Sequence, residues 1–287
     1  MRSANLKTKI FVDSGDVSET KAIIDLLGFL DGQTTNPTLI SKSPEAKKRL
    51  EAGQKFSKDE ALALYRKVVE EVSGLIPNGS VSVEVYADAA ATADEMFTQG
   101  KEMFSWIPNA HIKYPTTKAG LEAAQRSVAA GMRVNMTLCF TQEQAAAVYS
   151  ATQGAKKGDV FVSPFIGRLD DRGENGMDLI KNIIKMYGSG DGHVEVLTAS
   201  IRNSDHLLYA INLGSDIITA PFAILKEWAD NGLIMPETDF TYSPGGLKEI
   251  IYQEVDLNTP WTEYDINHQL TDAGIKRFSD DWNNLIK

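Results

Sequence analysis

Cysteine is nearly missing from this chain: Cys139 is the only one in 287 residues. A lone cysteine closes no internal disulfide and builds no cysteine-rich metal site. Long apolar runs are missing too. Nothing approaches the roughly 20 residues of a membrane-spanning helix, and residues 1–16 hold no apolar core of secretory-signal length. There is no basic run either. With 29 Lys and Arg against 39 Asp and Glu, the net charge is -10. Such a chain repels phosphodiester backbones, so nucleic acid is not an expected partner. No glycine-rich dinucleotide loop follows the first apolar run, and there is no internal repeat or low-complexity segment. These absences leave a cytoplasmic protein without a membrane or nucleic-acid partner as the expectation.

What is present is an alternation. Eight short runs rich in Val, Ile and Thr read as buried strands: residues 9–13, 32–36, 80–85, 111–114, 133–137, 160–163, 193–198 and 216–220. Helix-like stretches separate them: 17–29, with Asp16 or Ser18 as cap; 60–75, with Leu62, Tyr65, Val68, Val69 and Val72 at helical spacing; 117–130, with Thr116 or Thr117 as cap; then 141–151, 176–187, 204–213 and 222–229. Eight strand–helix units predict a parallel sheet with right-handed crossovers. Their number, in a chain of 287 residues, favours one closed (β/α)8 barrel, a TIM barrel of about 250 residues, over an open sheet. Residues 231–270, with Pro236, Ser243-Pro244-Gly245-Gly246 and Thr259-Pro260-Trp261, read as a loop-rich insertion holding one short helix near 246–252. Such an insertion crosses the barrel mouth or makes a subunit contact. Residues 271–287 read as a final amphipathic helix, with Leu270, Ile275, Phe278, Trp282 and Leu285 on one face. The whole of 1–287 is expected to form a single barrel domain.

Polar residues cluster near the strand ends: Asp13, Asn36, Glu84, Lys113, Asn135, Thr137, Ser163, and Ser200 with Arg202. One polar strand end is usually a helix cap, but barrels gather their chemistry at the C-terminal ends of their strands. Lys113 stands in an apolar strand and is expected to enter the barrel. Lysine is rarely buried without a partner, and a desolvated amine is a nucleophile toward a ketone. The iminium it forms is an electron sink that allows carbon–carbon cleavage. Asp13 is placed to take the proton of the C4 hydroxyl. Glu84 with Thr137 is placed to orient the water used in forming and hydrolysing the iminium. Asn36 and Asn135 suit sugar hydroxyls, and Arg168 and Arg202 suit a phosphate. An ion-paired lysine and surface arginines are the ordinary alternatives for the same residue types.

The strings Phe11-Val12-Asp13-Ser14, Thr34-Thr35-Asn36-Pro37-Thr38-Leu39-Ile40, Val83-Glu84-Val85, Ile112-Lys113-Tyr114-Pro115-Thr116-Thr117, Asn135-Met136-Thr137-Leu138, Ser163-Pro164-Phe165-Ile166-Gly167-Arg168 and Ala199-Ser200-Ile201-Arg202-Asn203 occur in the order found in transaldolases. To about Ala229, and again in the final helix, the sequence resembles that family of the class I aldolase superfamily. The resemblance implies transfer of a dihydroxyacetone unit from a ketose phosphate, of the fructose 6-phosphate or sedoheptulose 7-phosphate type, to an aldose phosphate. It implies a Schiff base on Lys113, acid–base work by Asp13, and a water held by Glu84 and Thr137. Phosphate contacts fall to Arg168, Ser200 and Arg202, and donor-sugar contacts to Asn36, Asn135 and Ser163. It implies no metal, no organic cofactor, and a homo-oligomer. Relatives that act as fructose-6-phosphate aldolases carry tyrosine at Phe165 and glutamine at Glu84, so these two residues favour transaldolase. Relatives acting on sulfonated ketoses leave the anion open.

Overall fold

The computed structural model describes residues 2–237, 240 and 242–287. Eight parallel strands close a barrel in sequence order: β1 Lys9–Asp13, β2 Gly32–Thr34, β3 Ser80–Glu84, β4 Ala110–Pro115, β5 Val134–Cys139, β6 Val160–Pro164, β7 Val194–Thr198 and β8 Ile217–Ala220. The register places Glu84 opposite Lys113, Lys113 opposite Asn135 and Val12 opposite Ala220, and it shifts once, between Met136 and Cys139 of β5 against β6. Among the described residues twelve α-helices accompany the strands: α1 Val17–Leu27, α2 Pro37–Ser41, α3 Pro44–Glu51, α4 Lys58–Leu75, α5 Ala93–Phe104, α6 Lys118–Ala129, α7 Gln142–Ala151, α8 Ile166–Asp170, α9 Gly176–Tyr187, α10 Ser204–Asn212, α11 Phe222–Asp230 and α12 Gln269–Leu285. No helix among the described residues is long and apolar enough to cross a membrane.

Local chemistry explains the boundaries. The second run stops at Thr34 because Asn36 becomes the N-cap of α2, its side chain accepting from Leu39 N. Asp16 caps α1, and Gly28 ends it in a left-handed conformation. Ser57 and Glu60 form a capping box that starts α4 at Lys58, and Thr117 caps α6. On α4 the buried face runs through Ala61, Leu64, Tyr65, Val68, Val69 and Val72, so Leu64 holds the place expected for Leu62. Helices α2, α3, α5 and α8 have no counterpart in the sequence pattern.

The floor of the barrel is aromatic. His111 stacks on Phe161 with ring centroids 4.0 Å apart, and Phe161 meets the Phe11 ring edge-on at 6.1 Å. A Cβ on Gly32 would lie 2.5 Å from the Phe11 ring, so this position has no room for a side chain. Burial pushes the His111 imidazole down to about 3, which leaves it neutral between the Ser80 hydroxyl and the Gly158 carbonyl. Lys9 closes the floor against Glu195 at 3.0 Å.

Residues beyond α11 correct two expectations. The stretch 246–252 is not helical: Gly245 and Gly246 are left-handed, and Lys248 pairs with Glu174 instead. Among its described residues, most of the segment also does not cross the mouth. It straps the outer helices. Tyr242 stacks on Tyr209 of α10, Ile250 O accepts from Asn182 of α9, Gln253 bonds reciprocally with Gln142 of α7, and Asp265 N reaches Glu143. The strap then delivers α12 across the C-terminal end of the barrel. Thr271, Gly274, Ile275, Phe278, Ser279, Trp282 and Leu285 form its buried face, while Leu270 is only half-buried. Burial of each large apolar side chain here contributes about 1.5–3 kcal/mol. Thr271 donates to Leu138 O, Thr38 bonds Asp281, and Phe56 pairs with Ile286.

Candidate active site

Above the aromatic floor the barrel interior turns polar. Thr34 bridges Asp13, at 2.6 Å, and Thr219, at 2.6 Å. Asn135 donates to Ser82 Oγ at 3.0 Å and accepts from Ser163 Oγ at 2.6 Å. Strand alternation sends Tyr114 outward to Ser127 of α6 and Lys113 inward. The Lys113 side chain is 3% exposed, and its Nζ lies 3.0 Å from Glu84 Oε2. The contact has the distance of an ion pair without hydrogen-bond alignment, since Oε2 keeps no hydrogen-bonding partner among the described residues. Nζ also donates to Thr35 O at 3.3 Å.

Both carboxylates beside the lysine are held above the usual carboxylate range. For Asp13, burial raises it, and Lys113 and the Thr34 hydroxyl offset only part of that. For Glu84, burial is again the largest cause, opposed by Lys113 and reinforced by the like charge of Asp13. Glu84 is also placed by its backbone. Its N–H donates to the Tyr65 hydroxyl at 2.7 Å. That hydroxyl is 2.7 Å from the Thr35 hydroxyl, which itself donates to Ser82 O. Thr137 is buried, and its Oγ1 has no protein partner among the described residues.

The other end of the site is cationic. Arg168, at the start of α8, lies over the ring of Phe165 at 5.4 Å and of Phe278 at 5.5 Å. Burial pushes its guanidinium below its ordinary value, and the charges of Arg277 and Arg202 push it further. Arg202 donates to Asp171 at 2.7 Å, and both side chains are exposed. Ser200, just past β7, is left-handed at φ 63°. For a residue with a Cβ this strain is of the order of 1–2 kcal/mol. The Ser200 carbonyl accepts from Gly167 N at 3.1 Å. A Cβ on Gly167 would lie 2.3 Å from Arg202 Nε, so glycine is what lets the two loops meet. His206 of α10 holds the same loop, accepting from Arg202 N at 3.3 Å and reaching Asp170 at 3.0 Å.

One cavity of about 330 Å³ collects these groups. Asp13, Asn36, Lys113, Ser163, Phe165, Arg168, Ser200 and Arg202 all line it. Glu84 and Asn135 lie behind this lining, in contact with it through Lys113 and Ser163, and Thr137 is not part of the lining. Asn36 turns its Oδ1 to the α2 backbone, so only its amide nitrogen is available to the cavity. The sequence reading missed Thr34, Thr219, Lys42 and Arg277 on the wall, and Tyr65 behind Glu84. A larger groove of about 650 Å³ lies on the barrel flank around Leu62, Met103, Trp106 and Trp282. Of its acids, Asp94, Glu95 and Glu102 are exposed, and the shielded lysine–carboxylate constellation is in the smaller cavity.

Comparison with known proteins agrees with this architecture. The model of the family described as Transaldolase/Fructose-6-phosphate aldolase matches residues 10–287. That stretch takes in the strap as well as the motifs on which the sequence resemblance rests. A "Probable transaldolase" of Dehalococcoides mccartyi is 33% identical over 97% of this chain and all of its own length. One from Cereibacter sphaeroides is 39% identical, covering 81% of this chain and 95% of its own. Another, from Caulobacter vibrioides, is 37% identical over 78% of this chain and 98% of its own. With a closed eight-stranded barrel, a buried lysine between two carboxylates and a family match along almost its whole length, the chain belongs to the transaldolase/fructose-6-phosphate aldolase family.

Proposed function

We propose that this protein is a transaldolase that moves a dihydroxyacetone unit from a ketose phosphate to an aldose phosphate through an iminium on Lys113. The observation that carries the reading is Lys113 Nζ, buried and 3.0 Å from Glu84, in a cavity walled by Asp13. Glu84 receives the proton that leaves Nζ, and the free amine attacks the ketose C2 carbonyl. Water leaves, and the iminium forms. Asp13 takes the C4 hydroxyl proton, the C3–C4 bond breaks, and its electrons enter the iminium to give an enamine. The aldose phosphate departs, and an acceptor aldehyde takes its place. Carbon–carbon bond formation returns the proton from Asp13 to the new hydroxyl. A water held by Glu84 and Thr137 then hydrolyses the new iminium. A carboxyl above its ordinary range, as Asp13 is, suits a group that must both accept and return a proton near neutral pH.

Asn36 and Ser163 address donor hydroxyls from the wall, and Asn135 acts through Ser163. Arg168, Ser200 and Arg202 take the phosphate. Phe165 favours transfer over release of free dihydroxyacetone, because its ring carries no hydroxyl to protonate the enamine. The deciding experiment is borohydride reduction in the presence of fructose 6-phosphate, read by peptide mass spectrometry. A stable adduct on Lys113, with turnover that requires an aldehyde acceptor, is the expected result. An adduct on another lysine, or none with the protein folded, sinks the assignment.

A further inference from the structure

We propose that Arg277, carried by α12, is a third guanidinium of the anion site and sets how tightly the cavity holds the anionic group of its sugar. This deepens the function proposed above and rests on it for the sugar alone. Arg277 lines the same cavity as Arg168 and Arg202, although it comes from the far end of the chain. Its carboxylate neighbour does not hold it: Arg277 Nε is 3.9 Å from Asp281 Oδ2, beyond hydrogen-bonding distance, and Asp281 accepts from Thr38 instead. Arg202 differs, with Asp171 at 2.7 Å. Arg168 is held by two aromatic rings and forms no ion pair among the described residues.

Among the described residues, three guanidinium groups therefore share the cavity wall while only Arg202 has a carboxylate at hydrogen-bonding distance, the exposed Asp171. Of the charges acting against the Arg168 cation, Arg277 exceeds Arg202. Like charges gathered in a half-buried site repel. The arrangement persists because α12 is fixed by contacts that do not involve Arg277. Gly274 packs against Leu138 and Arg168 so closely that a Cβ would lie 2.5 Å and 2.9 Å from them. Phe278 covers Arg168, and the far end of the helix is pinned at Phe56. A dianion entering the cavity relieves the repulsion, and a neutral sugar does not. Because Arg277 sits on α12, separate from α8, which carries Arg168, and from the loop after β7, which carries Arg202, its contribution is separable from theirs.

The test is calorimetric titration of the full-length protein with inorganic phosphate, comparing wild type, Arg277→Gln and Arg277→Lys. The Gln variant is expected to bind phosphate about ten-fold more weakly, the loss of one charge-assisted contact at a partly exposed site. The Lys variant should recover part of the loss, and neither should lower the unfolding midpoint without phosphate. Wild-type affinity in Arg277→Gln overturns the proposal. So does an equal loss in both variants accompanied by a lower midpoint, which is the mark of a disturbed helix. If wild type binds no phosphate, the anion site itself falls. If phosphate binding depends on Arg277 but borohydride traps nothing on Lys113, the lysine chemistry fails and the anion site stands.

Discussion

Removing one oxygen atom, in Tyr65→Phe, tests whether the active-site carboxylate is positioned from behind. The Tyr65 hydroxyl accepts from Glu84 N at 2.7 Å and sits 2.7 Å from the Thr35 hydroxyl. The Thr35 hydroxyl keeps its bond to Ser82 O after the change, so the group left without its partner is the Glu84 N–H. A buried unsatisfied donor costs about 1–3 kcal/mol. In a chain of 287 residues, about 2 kcal/mol lowers the unfolding midpoint by about 3–4 °C. The functional consequence is larger than the stability loss implies. Glu84 meets Lys113 at 3.0 Å, and Thr35 offers its carbonyl to the same Nζ, so the freed strand end shifts two of the groups around the proposed nucleophile. A misplacement on the 1 Å scale costs up to about 100-fold, so kcat should fall about 10- to 100-fold with KM for the phosphorylated donor within a few-fold of wild type. Steady-state kinetics beside thermal unfolding by circular dichroism decide it. A variant with the lowered midpoint and a kcat within two-fold of wild type would show that Tyr65 only packs the core, and would refute the reasoning.

Two further outcomes follow from the same geometry. Because burial holds the Asp13 carboxyl above its ordinary range, the folded protein keeps a proton that the unfolded chain has already lost. Ionising Asp13 therefore destabilises the fold, and the penalty grows as pH rises from the ordinary carboxylate range through the raised one. Asp13→Asn removes it and should gain about 0.5–2 kcal/mol above neutral pH, an advantage that fades toward pH 4 in denaturant titrations. It should also block carbon–carbon cleavage while Lys113 can still be trapped, and unchanged turnover would contradict the assignment of the base. Phe165→Tyr places a hydroxyl on the cavity wall and, under the proposed reaction, should raise release of free dihydroxyacetone relative to transfer. An unchanged ratio in a coupled assay for the two products would count against the role given to that ring.

Much of the architecture was readable because periodicity is a direct physical record of burial. The β-branched runs matched all eight strands to within two residues at each end, and polar residues just inside their C-terminal ends mark the mouth of a barrel. The second run overshot because Asn36 belongs to a helix cap. Helix α5 escaped because its buried stripe is Ala93, Met96, Gly100 and Met103, partly of small residues. Gly100 is small because the Tyr114 hydroxyl occupies the space where a Cβ would stand. The Thr92–Glu95 capping box was the signal available there. Helices α2 and α8, of five residues each, are too short to show a period. Within the site, Lys113, Asp13, Arg168 and Arg202 could be found at or just past strand ends. Tyr65 was legible as core and not as a support for Glu84, because a buried ring and a buried hydroxyl have the same periodicity. Arg277 gave no signal of either kind, since it reaches the cavity only after the strap has carried α12 back over the mouth.

The aromatic floor has a kinetic meaning under the proposed reaction. With Phe11, Phe161 and neutral His111 filling the lower barrel, whatever reaches Lys113 must come and go at the strand ends capped by α12. Donor fragment and acceptor then share one doorway and one anion site, and the first product must leave before the second substrate can enter. The order of events is ping-pong, with parallel double-reciprocal plots, and excess acceptor competes with donor for the resting enzyme. Intersecting plots would point to a second way in.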